Sequence, residues 1–139
     1  MSRYLLETTT CSRLMQNESI VKRHLDSLTD SDYPFTIPIV HGEILYGIER
    51  LPRGKRQRDI SQRANSLFSE IQCDPIPKET ATHYAKLKRQ AEEQGTSVAE
   101  NDLWIAATAL ALDAIIVTSD TDFQRVQGLL GLQLEDWTT

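Results

Sequence analysis

The sequence lacks the usual means of holding a small protein together from outside its core. Its only cysteines, Cys11 and Cys73, fall in no metal-type spacing and read as small core residues rather than a disulfide pair. His24, His41 and His83 show no ligand spacing either. No apolar run is long enough to cross a bilayer. The opening Met1–Glu7 has no extended apolar region before its first acid, so no signal peptide is expected and the cytoplasm is the expected compartment. Positive charge is also in short supply. The formal net charge of −5 argues against bulk electrostatic binding to nucleic acid. No residues suggest a nucleophile of the Ser-His or Cys-His kind. There is no internal repeat, low-complexity segment or linker, so residues 1–139 are expected to form one domain.

What the chain does have is an ordinary globular composition, 40% hydrophobic and 25% charged, with an uneven distribution of charge. Residues 1–70 carry ten Lys/Arg against nine Asp/Glu, whereas residues 71–139 carry five against eleven. An acidic pocket with a separate basic strip fits that imbalance, and so does a plain acidic surface.

Apolar spacing predicts strands alternating with helices. Tyr4–Leu6 reads as a first strand. A helix follows through Leu14 and Met15, with Thr8, Thr9, Thr10 and Ser12 as candidate caps. Residues 19–28 have helical spacing. Residues 35–40 read as a second strand that ends near Pro38, and residues 42–48 as a helix with Glu43 in or near its first turn. Helices are expected over 55–71 and 78–94, the second stopped by Gly95, with a turn or very short strand at 74–77. Asn101 and Asp102 look like caps for a helix running to Leu112 that is apolar on nearly every face, hence buried. Ile115–Val117 is too short and too β-branched for a helix, and reads as a buried parallel strand. Residues 131–134 suggest a final edge strand.

Such alternation implies an α/β domain with a mainly parallel sheet. In a parallel sheet the strand ends of one sense share an edge, and the next helices start there. Glu7, Glu43, Asp102, Asp120 and Asp122 all fall at such points. Four or five carboxylates converging on one rim would repel, and a divalent cation with a preference for oxygen ligands would relieve that.

The fragments Tyr4-Leu-Leu-Glu-Thr-Thr, Gly42-Glu-Ile-Leu-Tyr-Gly, Glu100-Asn-Asp-Leu-Trp-Ile-Ala-Ala-Thr-Ala and Ile116-Val-Thr-Ser-Asp-Thr-Asp-Phe occur in that order. With the ending through Leu134-Glu-Asp-Trp, they closely resemble the PIN-domain ribonucleases, in particular VapC-type toxins. The resemblance spans essentially the whole chain. It implies a three-layer α/β/α sandwich with a roughly five-stranded sheet. It also implies Mg2+- or Mn2+-dependent endoribonuclease activity, a homodimer and neutralisation by a cognate antitoxin. That partner would carry the DNA-binding part, so no direct DNA binding is expected of this chain. Carried over by position, Glu7, Glu43, Asp102 and Asp120 would hold the metal, with Glu43 or Asp120 as general base. Asp122 would be a less central acid and Thr118 a polar neighbour.

Two positions depart from the family pattern. Glu7 stands where the family normally has Asp, and Thr9 where it usually has Asn. Functional sites tolerate misplacement of roughly 0.5 Å, so the extra methylene of Glu7 matters for activity. A non-enzymatic PIN-like binding module is therefore the first rival reading. A phosphatase built on Asp120-Thr-Asp122 is the second, although that motif normally opens its chain. For substrate, the strip 50–59 carries Arg50, Arg53, Lys55, Arg56 and Arg58, a candidate contact for RNA phosphates, with Tyr46 or Trp104 as stacking candidates.

Overall fold

Three short apolar stretches form the centre of the sheet. The computed structural model describes residues 2–139; Met1, part of the leader reading, lies outside them. Leu5–Leu6, Phe35 and Ile116–Val117 are fully buried. They belong to β1 (Arg3–Leu6), β2 (Tyr33–Thr36) and β4 (Ile115–Val117), which a two-residue β3 (Gln72–Cys73) and a two-residue β5 (Leu134–Glu135) flank. All pairings are parallel, in the order β3-β2-β1-β4-β5. Strands buried on both faces need no polar alternation, which is why these read as apolar runs.

The chain steps from β1 outward to β2 and β3, then returns to β4 on the other side of β1. Right-handed crossovers therefore place the helices of the two halves on opposite faces. The first group is α1 (Thr8–Met15), α2 (Ser19–Asp26), α3 (Pro38–Glu49) and α4 (Lys55–Glu70). The second is α5 (Thr80–Glu93) and α6 (Glu100–Ala111). Most helix contacts agree: α1 packs on α2, α3 and α4, and α5 packs on α6, while α3 also meets α6. This is the expected three-layer α/β/α sandwich with a five-stranded sheet. Among the described residues, no helix is long and apolar enough to cross a membrane.

Several boundaries differ from the sequence expectation. The second strand stops at Thr36, and Pro38 opens α3 instead of trailing the strand. Proline suits the first helical position, where its missing N–H is an orphan anyway and its φ is already set. Glu43 is consequently the sixth residue of α3, beyond its first turn. α6 is capped by Ala99 rather than Asn101 or Asp102, so Asp102 lies inside the first turn. Glu7 itself caps α1, displacing the threonines and Ser12 as candidates. The third strand precedes residues 74–77, and the last covers only Leu134–Glu135. Gly95, at φ 68, stops α5 as expected.

Candidate active site

The order of the strands reverses between β1 and β4, and in open α/β sheets ligands bind at the carboxyl ends on either side of such a reversal. Glu7 and Thr118 are the residues that emerge there. The register pairs Leu6 with Val117, and Glu7 donates its backbone N–H to the Val117 carbonyl at 3.0 Å. The site is thus placed by apolar strand pairing before any polar contact is made.

Glu7 is buried at 3% exposure, although it is a carboxylate. Its Oε1 accepts from the Thr9 N–H at 3.1 Å, the Thr9 hydroxyl at 2.7 Å and the Thr118 hydroxyl at 2.6 Å. Burial pushes its carboxyl above the ordinary range, the threonine bonds pull against that, and the charge of Asp120 adds to the rise.

Asp102 is nearly buried in the first turn of α6, where the helix dipole favours an anion. Because it is not the cap, its carboxylate is free to face the site. One oxygen each from Asp102, Asp120 and Asp122 lies within 4.8 Å of the others. Burial and then repulsion from Asp120, Glu43, Glu7 and Asp122 push the Asp102 carboxyl up to about 7. The other four sequence-predicted acids thus all act on Asp102, but only Asp120 and Asp122 bring an oxygen into a close cluster with it; Glu7 and Glu43 stand outside that trio.

Asp120 caps the short 3-10 turn Thr121–Val126, accepting from the Asp122 N–H at 2.9 Å. That turn brings Asp122 into the cluster, a more central place than the sequence reading gave it. Arg125 approaches Asp122 at 3.7 Å across an exposed surface. Among the described residues, Glu7, Glu43, Asp102 and Asp120 have no basic partner within 4 Å. Glu43 accepts the Thr8 hydroxyl at 2.6 Å and lines an open cavity of about 640 Å³ with Thr8, Ile39, Gly42, Tyr46 and Asn101.

The basic strip divides. Arg50 stacks over exposed Tyr46, 5.4 Å from its ring centre. Lys55 and Arg56 line a cleft of about 640 Å³ between α1 and α4. Arg53 precedes α4, and Arg58 is exposed on its first turns. Trp104 is stacked face to face on Tyr84 at 3.8 Å, so one of its faces is already covered. His41 bonds to Thr36 and stacks on Phe68. Sequence reasoning missed Thr8 as a partner of Glu43 and Thr9 as a partner of Glu7. The available signal was three hydroxyls following an acid at a strand end.

Together, fold and site define a three-layer α/β/α domain with a carboxylate cluster at its switch point. The chain belongs to the PIN domain family, which matches residues 4–129. It is 32% identical over 138 residues to ribonuclease VapC1 of Haemophilus influenzae (strain R2866), covering 97% of this chain and 98% of that protein. It is 24% identical over 136 residues to ribonuclease VapC2 of Rickettsia felis, covering 96% and 97%. Among solved structures, VapBC-1 from nontypeable H. influenzae matches with TM-score 0.84 at 27% identity, covering 99% of each chain. VapBC2 from R. felis bound to a promoter DNA fragment matches with TM-score 0.86 at 24% identity, covering 97% and 98%. Membership in this family leaves no place for the phosphatase reading.

Proposed function

We propose that this chain is a divalent-cation-dependent endoribonuclease, the toxin of a toxin–antitoxin pair, hydrolysing RNA phosphodiester bonds. The observation that carries this reading is the Asp102–Asp120–Asp122 cluster at the switch point, in a chain that aligns end to end with VapC ribonucleases. Its donors are hard carboxylate oxygens. Its central acid is pushed up to about 7 by its neighbours, a repulsion that a bound cation would remove. Asp102 and Asp120 would hold Mg2+ or Mn2+, with Asp122 beside them and Glu7 reaching in through Oε2. The ion would supply Lewis-acid stabilisation of charge on the phosphate oxygens.

The remaining work falls to side chains. Glu43 would take the proton of an attacking water: Thr8 fixes its Oε1, and among the described residues its Oε2 has no hydrogen-bond partner. Asp120 is the other candidate base. The water oxygen forms the new bond to phosphorus in line with the oxygen that leaves, and that oxygen departs as its P–O bond breaks. In the direct test, purified chain cleaves single-stranded RNA with Mg2+ or Mn2+ and stops when EDTA is added. Cleavage that persists in EDTA, or no cleavage with either ion, would defeat the proposal. The second outcome favours a binding module, the reading that the tied-up Oε1 of Glu7 supports.

RNA phosphates would lie along Arg50, Arg53, Lys55, Arg56 and Arg58. Among the described residues none of these five forms an ion pair. The first turn of α4 holds no acid, so its cations face the positive end of the helix dipole, costing about 0.3–1 kcal/mol each at low salt. A phosphate there would remove that cost. Replacing Lys55 and Arg56 with Glu should therefore weaken RNA binding about tenfold or more at low salt yet leave thermal stability unchanged or slightly higher. Unchanged RNA affinity, read by fluorescence anisotropy, would remove the strip from the substrate path.

A homodimer and an antitoxin complete the proposal. α3 leaves Leu45 48% and Tyr46 63% exposed, an apolar face that a second copy would cover. Light scattering should give twice the mass of one chain, and a monomer at all concentrations would contradict it. The antitoxin reading is supported by VapBC complexes among the structural matches. DNA binding is assigned to that partner, not to this chain alone, and the cytoplasm remains the proposed compartment.

A further inference from the structure

We infer that Thr9 is a positioning residue of this site, its hydroxyl tying the Glu7 carboxylate to the backbone that presents Asp120; the inference rests on the metal-site reading above. A threonine hydroxyl has one proton to give and lone pairs to accept with. The Thr9 hydroxyl donates that proton to Glu7 Oε1 at 2.7 Å and accepts the Ser119 N–H at 3.0 Å. Thr118 does the same one residue further on. It donates to the same Oε1 at 2.6 Å and accepts the Asp120 N–H at 3.0 Å. Two successive amides of the turn after β4 thus orient two hydroxyls, and both hydroxyls converge on one carboxylate oxygen. With both protons committed, the 3.3 Å approach of the two hydroxyls is a contact rather than a bond.

The consequence is geometric. Glu7 has three rotatable bonds, and nothing in its own backbone would hold its carboxylate at one point of a rim. The Thr9 and Thr118 hydroxyls and the Thr9 N–H saturate Oε1, leaving Oε2 as the atom available to a cation. Thr9 contributes two of those three bonds, and it also accepts from the turn leading into Asp120. Two acids from opposite halves of the chain are thereby held in one frame. Thr10 provides the contrast. Next to the half-buried Thr9 on α1 it is buried, at 3% exposure, and its hydroxyl bonds the Val117 carbonyl at 2.7 Å rather than an acid. Its loss should cost stability only.

The test is Mn2+ affinity, measured by calorimetry and by electron paramagnetic resonance of free Mn2+, on the full chain with thermal unfolding alongside. Removing an orienting partner of a metal ligand typically weakens binding about 10–100-fold, and Thr9→Val should fall in that range. Thr9→Ser, which keeps the hydroxyl, should return to within about threefold of the parent. Thr10→Val should lower Tm and leave Mn2+ affinity unchanged. Thr9→Ala stands in if the valine variant does not fold. Parent-like affinity in Thr9→Val or Thr9→Ala overturns the inference. So does failure of serine to rescue, or an equal loss in Thr10→Val. Asp102→Asn separates the two levels: if it abolishes binding while Thr9→Val does not, only the Thr9 role fails. If it binds Mn2+ like the parent, the metal-site reading fails and takes this inference with it.

Discussion

Asp102→Asn is expected to lower RNA cleavage by at least about a hundredfold, because it removes the central charged donor of the cluster without changing its size. The same change should stabilise the cation-free protein at pH 8. The sign follows from protonation. The Asp102 carboxyl is pushed from its ordinary 3.8 up to about 7 by burial and by four neighbouring acids. Between those values the folded chain holds a proton that the unfolded chain has released. Stability contributed there is full below about pH 4 and is lost as pH rises through about 7. In EDTA, the parent should therefore lose stability relative to Asp102→Asn across that window, by on the order of 2 kcal/mol at pH 8, given that the rim is open to solvent. For a chain of this length that is a difference of about 5–8 °C in Tm. Saturating Mg2+ or Mn2+ should reverse the order, since the cation stabilises only the form with the full donor set. Two results would count against the site: parent-like cleavage by Asp102→Asn, or identical Tm–pH profiles for the two proteins in EDTA.

Most of the frame behind that prediction was legible in the sequence. Leu5-Leu6 and Ile115–Val117 could be read as central strands because buried parallel strands carry apolar residues on both faces. The Ala- and Leu-rich run after Asp102 could be read as a buried helix for the same reason. The meeting of Asp102 and Asp120 at one rim followed from topology, since strand ends of one sense share an edge. What was not legible turns on single hydrogen bonds and single dihedrals. Ile37, Ile39 and Val40 are β-branched and suggest strand, yet Pro38 starts a helix among them, and Glu43 moves into the body of α3. Asp122 looks like a turn residue until Asp120 caps the short 3-10 turn that swings it back. Thr9 stood out only as one of several candidate helix caps and as a departure from the family pattern. Its value lies in which proton it donates and to which oxygen, and composition and spacing carry no record of that.

Trp137→Ala is expected to be the most damaging single change to stability, at about 3–5 kcal/mol. The indole is 2% exposed and packs between β1 and α2. It meets Tyr4 of β1 in a tilted contact and stacks on His24 of α2, each at 5.7 Å. Its Nε1–H donates to Glu135 Oε1 at 2.7 Å. Glu135 belongs to β5, which is two residues long and pairs with β4, so this clamp reinforces a short ladder. The site depends on that strand, because the Thr118 N–H donates to the Glu135 carbonyl at 3.0 Å. Removing the indole leaves a cavity and frees β5 together, which for a chain of this length should lower Tm by roughly 10–15 °C. Trp137→Phe keeps a ring for Tyr4 and His24 but deletes the donor to Glu135, and should cost about 1–2 kcal/mol. Urea unfolding gives both values, and amide exchange at Thr118 reports whether β5 has loosened. A loss below about 1 kcal/mol in Trp137→Ala, or Thr118 protection equal to the parent's, would mean that the edge strand is held by something other than this ring.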